Sequence, residues 1–264
     1  MSVLTVTDTL ARAVEGAASY FRHPFTSAVI LAAGSGERMK DGDPARETVP
    51  KLFLPLERKP VLSYTLAVFD ACEEVDEIVL VIRREDRARA EAFLEAESLE
   101  KPVRLTEGGE TRQESAKAGL LAVDDKTKFV AIHDGDRPLI TAEQITAVAK
   151  EAYRTGAAAA GAPSKDTVKL VQGRTVQSTP DRSKVWLAAT PQIFKVEEYR
   201  AAVYEGERCG RTATDDCSLV EAVGFPVSMV DCGYENLKIT TPEDLYLAEA
   251  ILKLRREREG YASV

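Results

Sequence analysis

The sequence lacks the features that mark disulfide-rich, zinc-ribbon and membrane proteins. Its 264 residues include four cysteines, Cys72, Cys209, Cys217 and Cys232. No two of them form a C-x-x-C pair. A zinc ribbon or a redox dithiol is therefore not indicated. No run approaches the roughly 18 apolar residues that a membrane-spanning helix needs. Cys72 falls in a helical pattern that favours a buried thiol, and we expect a cytoplasmic chain with reduced thiols.

Positive charge is also scarce. The chain has 35 lysines and arginines against 43 aspartates and glutamates, which gives a net charge of −8. Non-specific nucleic-acid binding requires a basic face, so we expect no nucleic-acid partner. An anionic substrate requires cations that are concentrated locally. Hydrophobic residues make up 44% of the sequence, which is enough for the core of one α/β domain.

Residues 1–26 form an extension ahead of the first strand pattern. Apolar residues recur there near helical spacing, at Val6, Leu10, Val14 and Ala17, which predicts a short amphipathic helix. Charged residues between them interrupt the apolar core that a signal peptide requires. Because the polar face of this helix is not basic, we expect it to pack on the domain or contact a partner, not to anchor a membrane.

Strand and helix patterns alternate from residue 27 onward, in a domain that we assign to residues 27–264. The strand patterns are SAVILAAG, EIVLVIR, KPVRLTEGG and KFVAIHD. Helical patterns such as PVLSYTLAVFDAC and TAEQITAVAKEAYRTG lie between and after them, and a last helix follows Pro242. This alternation predicts an α/β fold with a Rossmann-like, mostly parallel sheet and helices on both faces.

Residues 163–187 differ from this pattern. The short strand candidates TVKLV, GRTVQ and KVWLAAT follow AAAAGAP without a long helix between them. Gly173-Arg174 and Pro180-Asp181 are turn signals. The sequence therefore predicts a β-hairpin arm inserted in the α/β domain. The tripeptide TPQ, at residues 190–192, is expected to be a turn.

A glycine-rich loop follows the first strand, in the segment LAAGSGERM. Gly34 and Gly36 let the backbone approach a phosphate closely and leave N–H groups free to point at it. Arg38 and Lys51 come after the loop, either as phosphate contacts or as ordinary surface cations. Met39 stands where a dinucleotide fingerprint has its third glycine, and no Walker motif occurs. Neither a dehydrogenase nor a P-loop protein is therefore favoured.

Two further polar loops end predicted strands, where open parallel sheets bind ligands. The segment GGETRQES (108–115) is either part of a ligand site or an ordinary turn capped by Thr111. In HDGDRP (133–138), Asp134 and Asp136 are hard oxygen ligands that suit Mg²⁺. The alternative is that Asp134 caps a turn and Asp136 pairs with Arg137. For His133 we expect a structural hydrogen bond, not base catalysis.

These motifs, taken in order, resemble the 2-C-methyl-D-erythritol 4-phosphate cytidylyltransferases of the sugar-phosphate nucleotidyltransferase superfamily. The resemblance rests on A-A-G-x-G-x-R-M followed by P-K, on G-G-x-x-R-x-x-S, on H-D-x-x-R-P, and on the arm segments D-T-V-K and D-R-x-x-V-W-x-x-x-T-P-Q. It extends from about residue 28 to residue 252. The chain departs from the family in a longer stretch before Lys51, in Asp136 where a small residue is usual, and in Glu235 where aspartate is more common.

The resemblance implies transfer of CMP from CTP to 2-C-methyl-D-erythritol 4-phosphate, with Mg²⁺ and release of pyrophosphate. The implied catalytic residues are Arg38, Lys51 and Lys238. The implied nucleotide-binding residues are Ala32, Ala33, Gly34, Gly36, Gly109, Ser115 and Asp134. The acceptor would contact Thr167, Arg182, Thr190 and Lys238, and the metal Asp134 and Glu235.

The resemblance also implies a homodimer in which the arm crosses to a twin subunit, so that Thr167 and Arg182 complete the partner's acceptor pocket. Two alternatives stay open on the sequence. The acceptor could be another polyol phosphate, above all ribitol 5-phosphate. The chain could also be a catalytically silent nucleotide-binding regulator, with Asp136 as a mark of lost activity. Turnover of CTP to pyrophosphate separates the enzyme from the regulator.

Overall fold

A computed structural model describes residues 23–34, 36, 39 and 49–262. The predicted N-terminal helix lies almost entirely outside these residues, as do Arg38 and most of the stretch before Lys51. Among the helices in the described ranges, none is both long and apolar enough to cross a membrane.

The described chain contains eleven strands and seven α-helices. The strands are β1 (Thr26–Ala32), β2 (Pro55–Leu56), β3 (Lys59–Pro60), β4 (Glu77–Ile82), β5 (Val103–Glu107), β6 (Phe129–Asp134), β7 (Ala157–Pro163), β8 (Leu170–Gln172), β9 (Thr175–Ser178), β10 (Trp186–Lys195) and β11 (Ser228–Asp231). The helices are α1 (Val61–Ala71), α2 (Arg87–Ala96), α3 (Arg112–Ala122), α4 (Ala142–Thr155), α5 (Val196–Arg208), α6 (Asp216–Ala222) and α7 (Pro242–Ala262).

Seven of these strands form one central sheet, in the order β11-β7-β10-β6-β1-β4-β5. All neighbouring pairs are parallel except those of β10, which runs antiparallel to β6 and β7. The predicted mostly parallel sheet is thus confirmed. Every residue of β4 and β6 is buried, as expected for strands covered by helices on both faces.

Alternate residues of the central strands pack into separate cores on the two faces of the sheet. Ile30 of β1 lies in the core that contains Leu66 of α1. Its neighbour Val29 lies in the opposite core, with Leu120 of α3 and Tyr199 of α5. A β-carbon at Gly119 of α3 would lie 2.2 Å from Cγ1 of Val29, so glycine lets this helix approach the sheet closely.

The helices that flank the candidate site begin at side-chain caps. Thr111 accepts a hydrogen bond from the backbone N–H of Glu114, whose carboxylate accepts one from the backbone N–H of Thr111. Thr141 and Gln144 form the same reciprocal box at the start of α4. Such boxes satisfy N–H groups that have no partner within the helix. Thr111 is therefore a cap, as one of the two interpretations of GGETRQES expected.

One prediction about local structure is wrong. The TPQ segment is not a turn, because β10 continues through it to Lys195. The Thr190–Pro191 peptide bond is cis, and the register of β10 against β7 shifts between Ala188 and Gln192. Gln192 pairs with Ile132 of β6 and with Ala159 of β7, so that the strand resumes after an irregular step that the local sequence does not reveal. Sequence analysis also did not predict α5, α6 and β11.

A hairpin of β8 and β9 leaves the sheet between β7 and β10. Most residues from 165 to 184 are exposed, and so are the apolar side chains of Leu170, Val171 and Val176. Trp186, at the base of this arm, is half-buried. An isolated two-stranded hairpin has too little buried surface to be stable in water.

Candidate active site

The glycine loop and the ends of β5 and β6 form the wall of a cavity of about 260 Å³. Most of the residues predicted to bind a nucleotide line it: Ala33, Gly34, Gly109, Ser115 and Asp134. Asp136 and Lys238 line the same cavity. Ala32 is buried at the end of β1, between the lining residues Leu31 and Ala33, and does not itself line the cavity. Chain segments far apart in sequence thus converge where parallel strands end, as predicted.

A second cavity, of about 330 Å³, lies beside the first and shares Arg112, Asp134 and Lys238 with it. Its wall also contains Arg137 and Thr190. Thr190 is buried, and its hydroxyl oxygen accepts a hydrogen bond from the backbone N–H of Asp134 at 3.0 Å. Two cavities that meet at one carboxylate and its cations can hold two anionic ligands side by side.

Asp134 stands at the centre of the site and contacts three cations. Its Oδ1 accepts from Nε of Arg112 at 3.2 Å, and its Oδ2 from Nε of Arg137 at 3.3 Å and Nζ of Lys238 at 2.9 Å. Burial alone would raise the pKa of Asp134, but Arg112, Lys238 and Arg137 outweigh it and hold that pKa well below its usual range. The carboxylate is therefore ionised, and it fixes three cations around the junction of the cavities.

Arg112 is tied to a second buried carboxylate, which sequence analysis did not identify. Its Nη1 donates to Oδ2 of Asp216 at 2.7 Å, and the hydroxyl of Tyr199 donates to Oδ1. Burial raises the pKa of Asp216 in spite of the Arg112 contact. Gln192 accepts from the backbone N–H of Asp216 at 3.0 Å. Nothing local in the sequence indicated that Gln192, of the T-P-Q segment, and Asp216 meet beside Arg112.

Lys51 begins a short 3-10 helix, Lys51–Phe53, and it lines neither of the two cavities. A β-carbon at Gly36, where φ is 67°, would lie 3.6 Å from Cγ of Lys51. The Lys51 ammonium donates to Oδ2 of Asp136 and to the carbonyl of Ile239, the latter at 3.2 Å. The expected alternative of a pair between Asp136 and Arg137 is therefore wrong, because Arg137 faces Asp134 and Asp136 faces Lys51.

His133 has a structural role, as predicted. It is fully buried in β6; its Nδ1 lies 3.0 Å from the hydroxyl of Thr190, and its Nε2 lies 3.3 Å from the carbonyl of Arg137. Burial lowers the pKa of His133 from 6.5 to about 3. The imidazole is thus neutral at pH 7, with both nitrogens occupied, and is not placed to act as a general base.

This burial predicts a loss of stability in mild acid. The unfolded chain binds a proton at His133 below pH 6.5 and the folded chain does so only near pH 3, so the stability contributed by neutral His133 is lost as pH falls through that window. Between pH 6.5 and 5 the loss should be about 2 kcal/mol. In urea unfolding at a series of pH values, His133→Gln should flatten this slope. Parallel slopes for His133→Gln and wild type would contradict the assignment.

Several predicted residues are not brought to these cavities within one chain. Thr167 and Arg182 lie on the exposed arm, where Nη1 of Arg182 donates to the carbonyl of Lys165 at 3.2 Å. Neither lines either cavity. Arg38 lies outside the described residues. Glu235 accepts hydrogen bonds from Arg255 at 2.9 Å and from Arg258 at 3.0 Å.

The carboxylate of Glu235 thus pairs with Arg255 and Arg258 and shares no partner with the carboxylate of Asp134. The hydrogen bond from Arg255 is the main cause that lowers the pKa of Glu235. Its role as a metal ligand stays a prediction. In the described ranges, no group of three or more histidine, cysteine, aspartate or glutamate side chains is arranged to hold a metal.

The fold and the site define a class of protein. A mostly parallel α/β sheet carries a glycine loop at the edge of a cation-lined cavity, and a second cavity adjoins the first. This arrangement suits an enzyme that binds a nucleotide beside a second anionic substrate. The sequence model of 2-C-methyl-D-erythritol 4-phosphate cytidylyltransferase matches residues 26–254.

Individual relatives agree with this match. The enzyme of that name from Desulforamulus reducens is 43% identical over 231 residues, which covers 86% of this chain and 96% of that protein. The Bacillus pumilus enzyme is 42% identical, with coverage of 86% and 97%. The crystal structure of 4-diphosphocytidyl-2C-methyl-D-erythritol synthase from Anaerococcus prevotii superposes on this chain with a TM-score of 0.76. The two sequences are 33% identical, and the superposition covers 87% of this chain and 98% of that one. The chain belongs to the 2-C-methyl-D-erythritol 4-phosphate cytidylyltransferase family, and it is a cytidylyltransferase.

Proposed function

We propose that this enzyme transfers CMP from CTP to 2-C-methyl-D-erythritol 4-phosphate in the synthesis of isoprenoid precursors. The observation that carries the proposal is the junction of two cavities at Asp134 and Lys238. The cavity beneath the glycine loop suits the nucleotide. The cavity beside Arg137 and Thr190 suits the phosphate of the acceptor. All four cysteines are free thiols, which fits a reducing compartment such as the cytoplasm.

The proposed reaction is an in-line displacement at the α-phosphorus of CTP. An oxygen of the acceptor phosphate forms a bond to that phosphorus, and the bond from it to the bridging oxygen of the β-phosphate breaks, so that pyrophosphate leaves. The acceptor phosphate is already ionised near pH 7, so no proton has to be removed from it. Catalysis then depends on positioning and on stabilisation of negative charge. Lys51, Lys238 and Arg38 are the cations that we assign to that task.

We assign the base of the nucleotide to the start of α3. A β-carbon at Gly108 would lie 2.6 Å from Oγ of Ser115, and one at Gly109 would lie 2.3 Å from Cβ of Glu114. Glycine at both positions therefore keeps the loop tight against the helix and its backbone open to the cavity. Backbone groups and the hydroxyl of Ser115 can pair with cytosine, and the narrow space rejects a purine by size and by polar groups left unpaired.

The donor set of the nucleotide cavity fits a divalent cation. Mg²⁺ is usually held by one or two carboxylates together with substrate phosphates, and Asp134 and Asp136 both line this cavity. Once bound, Mg²⁺ would neutralise charge on the phosphates and on the departing pyrophosphate.

This proposal predicts a metal requirement. Treatment with EDTA should abolish pyrophosphate release, and added Mg²⁺ should restore it. In Asp134→Asn the concentration of Mg²⁺ that gives half-maximal turnover should rise about 10-fold, because a hard cation loses a nearby negative charge. A Mg²⁺ titration of this variant that superimposes on that of wild type would remove Asp134 from the surroundings of the metal.

We further propose that the active enzyme is a homodimer whose arms exchange. The exposed valines and leucine of the arm need a covering surface, and a two-fold axis would place the same region of a twin subunit there. Arg182 and Thr167, which line neither of the two cavities of their own chain, would then reach the acceptor cavity of the partner.

A direct assay tests the proposed function. Purified protein is supplied with CTP, Mg²⁺ and one polyol phosphate at a time, and pyrophosphate is followed. We expect the highest kcat/KM with 2-C-methyl-D-erythritol 4-phosphate. A preference for ribitol 5-phosphate would reassign the acceptor. Affinity for CTP with no turnover on any acceptor would identify a silent nucleotide-binding regulator instead.

A further inference from the structure

The carboxylate of Asp136 is buried in the wall of the nucleotide cavity with one oxygen unused. Its side chain is 9% exposed. Oδ2 pairs with the ammonium of Lys51. Oδ1 is inaccessible to water and has no hydrogen-bond donor, and Nζ of Lys238 is 3.9 Å away, beyond hydrogen-bond distance. A buried anionic acceptor without a partner is costly, so it indicates a partner that arrives with the ligand.

The chemistry of the ligand limits what that partner can be. The phosphates of a nucleoside triphosphate are anionic acceptors, and they repel a carboxylate. Asp136 on this wall therefore opposes a bare triphosphate unless a cation lies between them. A divalent cation carried by the triphosphate meets the need of both groups, because Mg²⁺ binds carboxylate and phosphate oxygens alike.

Asp136 also has more capacity to bind a metal than Asp134. A carboxylate offers about four lone-pair positions. Cations already take three of those positions on Asp134, from Arg112, Arg137 and Lys238. On Asp136 a single hydrogen bond is made, to Lys51, and it involves the other oxygen.

We propose that Oδ1 of Asp136 is a ligand of the divalent cation that enters with the nucleotide triphosphate. This assignment rests on the proposed function only in that a nucleoside triphosphate occupies the cavity. Lys51, bonded to Oδ2, fixes the orientation of the carboxylate, as partners behind a ligand commonly do. The cation then ties the triphosphate to the end of β6, and Asp136 is a binding residue, not a sign of decay.

The test measures metal binding without turnover. Mn²⁺, which accepts the same oxygen ligands as Mg²⁺, is titrated by electron paramagnetic resonance in the presence of a CTP analogue with a methylene bridge between the α- and β-phosphorus atoms. In Asp136→Asn, which keeps the size of the side chain, the Mn²⁺ affinity of the complex should fall about 10-fold or more. Glu110→Gln is the matched control, because Glu110 is an exposed carboxylate on the same cavity. It should change the affinity less than twofold, since solvent screens it.

Equal Mn²⁺ affinities for Asp136→Asn and wild type would overturn the proposal, and so would equal losses in Asp136→Asn and Glu110→Gln, since these would show a general effect of charge. Circular dichroism and the thermal midpoint check that the variant is folded. Asp136→Ala serves as the second variant and should show the same loss.

The wild-type turnover assay is separate: its failure would sink the proposed function and leave this titration valid. Normal turnover with an unchanged Mn²⁺ titration would sink the inference alone.

Discussion

Lys238→Ala should lower kcat/KM by about 10²- to 10³-fold, the range seen when one group that stabilises developing charge is removed. Lys238 lines both cavities and donates to Asp134 at 2.9 Å. In the proposed reaction its ammonium lies where the acceptor phosphate and the α-phosphate would meet. Negative charge builds up there during attack, and a fixed cation stabilises the transition state more than the separate substrates. Steady-state rates of pyrophosphate release measure the loss.

A surface lysine provides the control for this variant. Lys117 pairs with Glu207 on the outside of α3, and an exposed pair of this kind contributes little to stability. Lys117→Ala should therefore keep near-normal turnover. Both variants should unfold within a few degrees of wild type, because the Lys238 side chain is itself partly exposed. Near-normal kcat/KM for Lys238→Ala would show that this residue is only a surface cation.

Mixing two inactive variants, Arg182→Ala and Lys238→Ala, should restore activity if the arms cross between subunits. In the proposed dimer each site takes Lys238 from one chain and Arg182 from the other. A mixed dimer then has one site with both wild-type residues and one site with both defects. With equal amounts and complete exchange, about one quarter of all sites should be intact, as the two-fold symmetry requires. Pyrophosphate release from the mixture, compared with each variant alone, gives the result.

Subunit exchange has to be established before the mixture is interpreted. Native mass measurement of a mixture with one isotopically labelled variant shows the mixed dimers directly. If exchange is complete and no activity returns, Arg182 acts within its own chain, because every site would then keep one defect. A chain that is monomeric at the assay concentration would exclude the shared site altogether.

Residues in local motifs at the ends of strands were correctly expected to lie close together. Gly34, Gly109 and Ser115 come from two separate loops and line one cavity, whereas their contacts with phosphate and cytosine stay predictions. His133 makes hydrogen bonds of the structural kind that were expected of it. Such predictions succeed because the carboxyl ends of parallel strands share one edge of the sheet, so that polar residues after those strands must meet.

Predictions that depended on pairing across the fold were less successful. Asp136 was expected to pair with the adjacent Arg137 if it was structural, but it pairs with Lys51, 85 residues away. TPQ was expected to be a turn, yet β6 and β7 hold it extended in β10. The buried network of Arg112, Asp216 and Tyr199 had no local signal, since it joins α3, α5 and α6.

The sequence by itself determined the alternation of strands and helices, the glycine loop and the family, because these depend on residues close together in the chain. The tertiary structure decided which charges face each other. Asp134 gathers three cations while Asp136 keeps an unused oxygen, although the two aspartates are separated by one glycine. That difference arises because α3, the start of the 3-10 helix and the segment before α7 converge on β6 from distant parts of the chain. Interactions between charged side chains depend on the distance between them in space. That distance cannot be read from the order of residues along the chain.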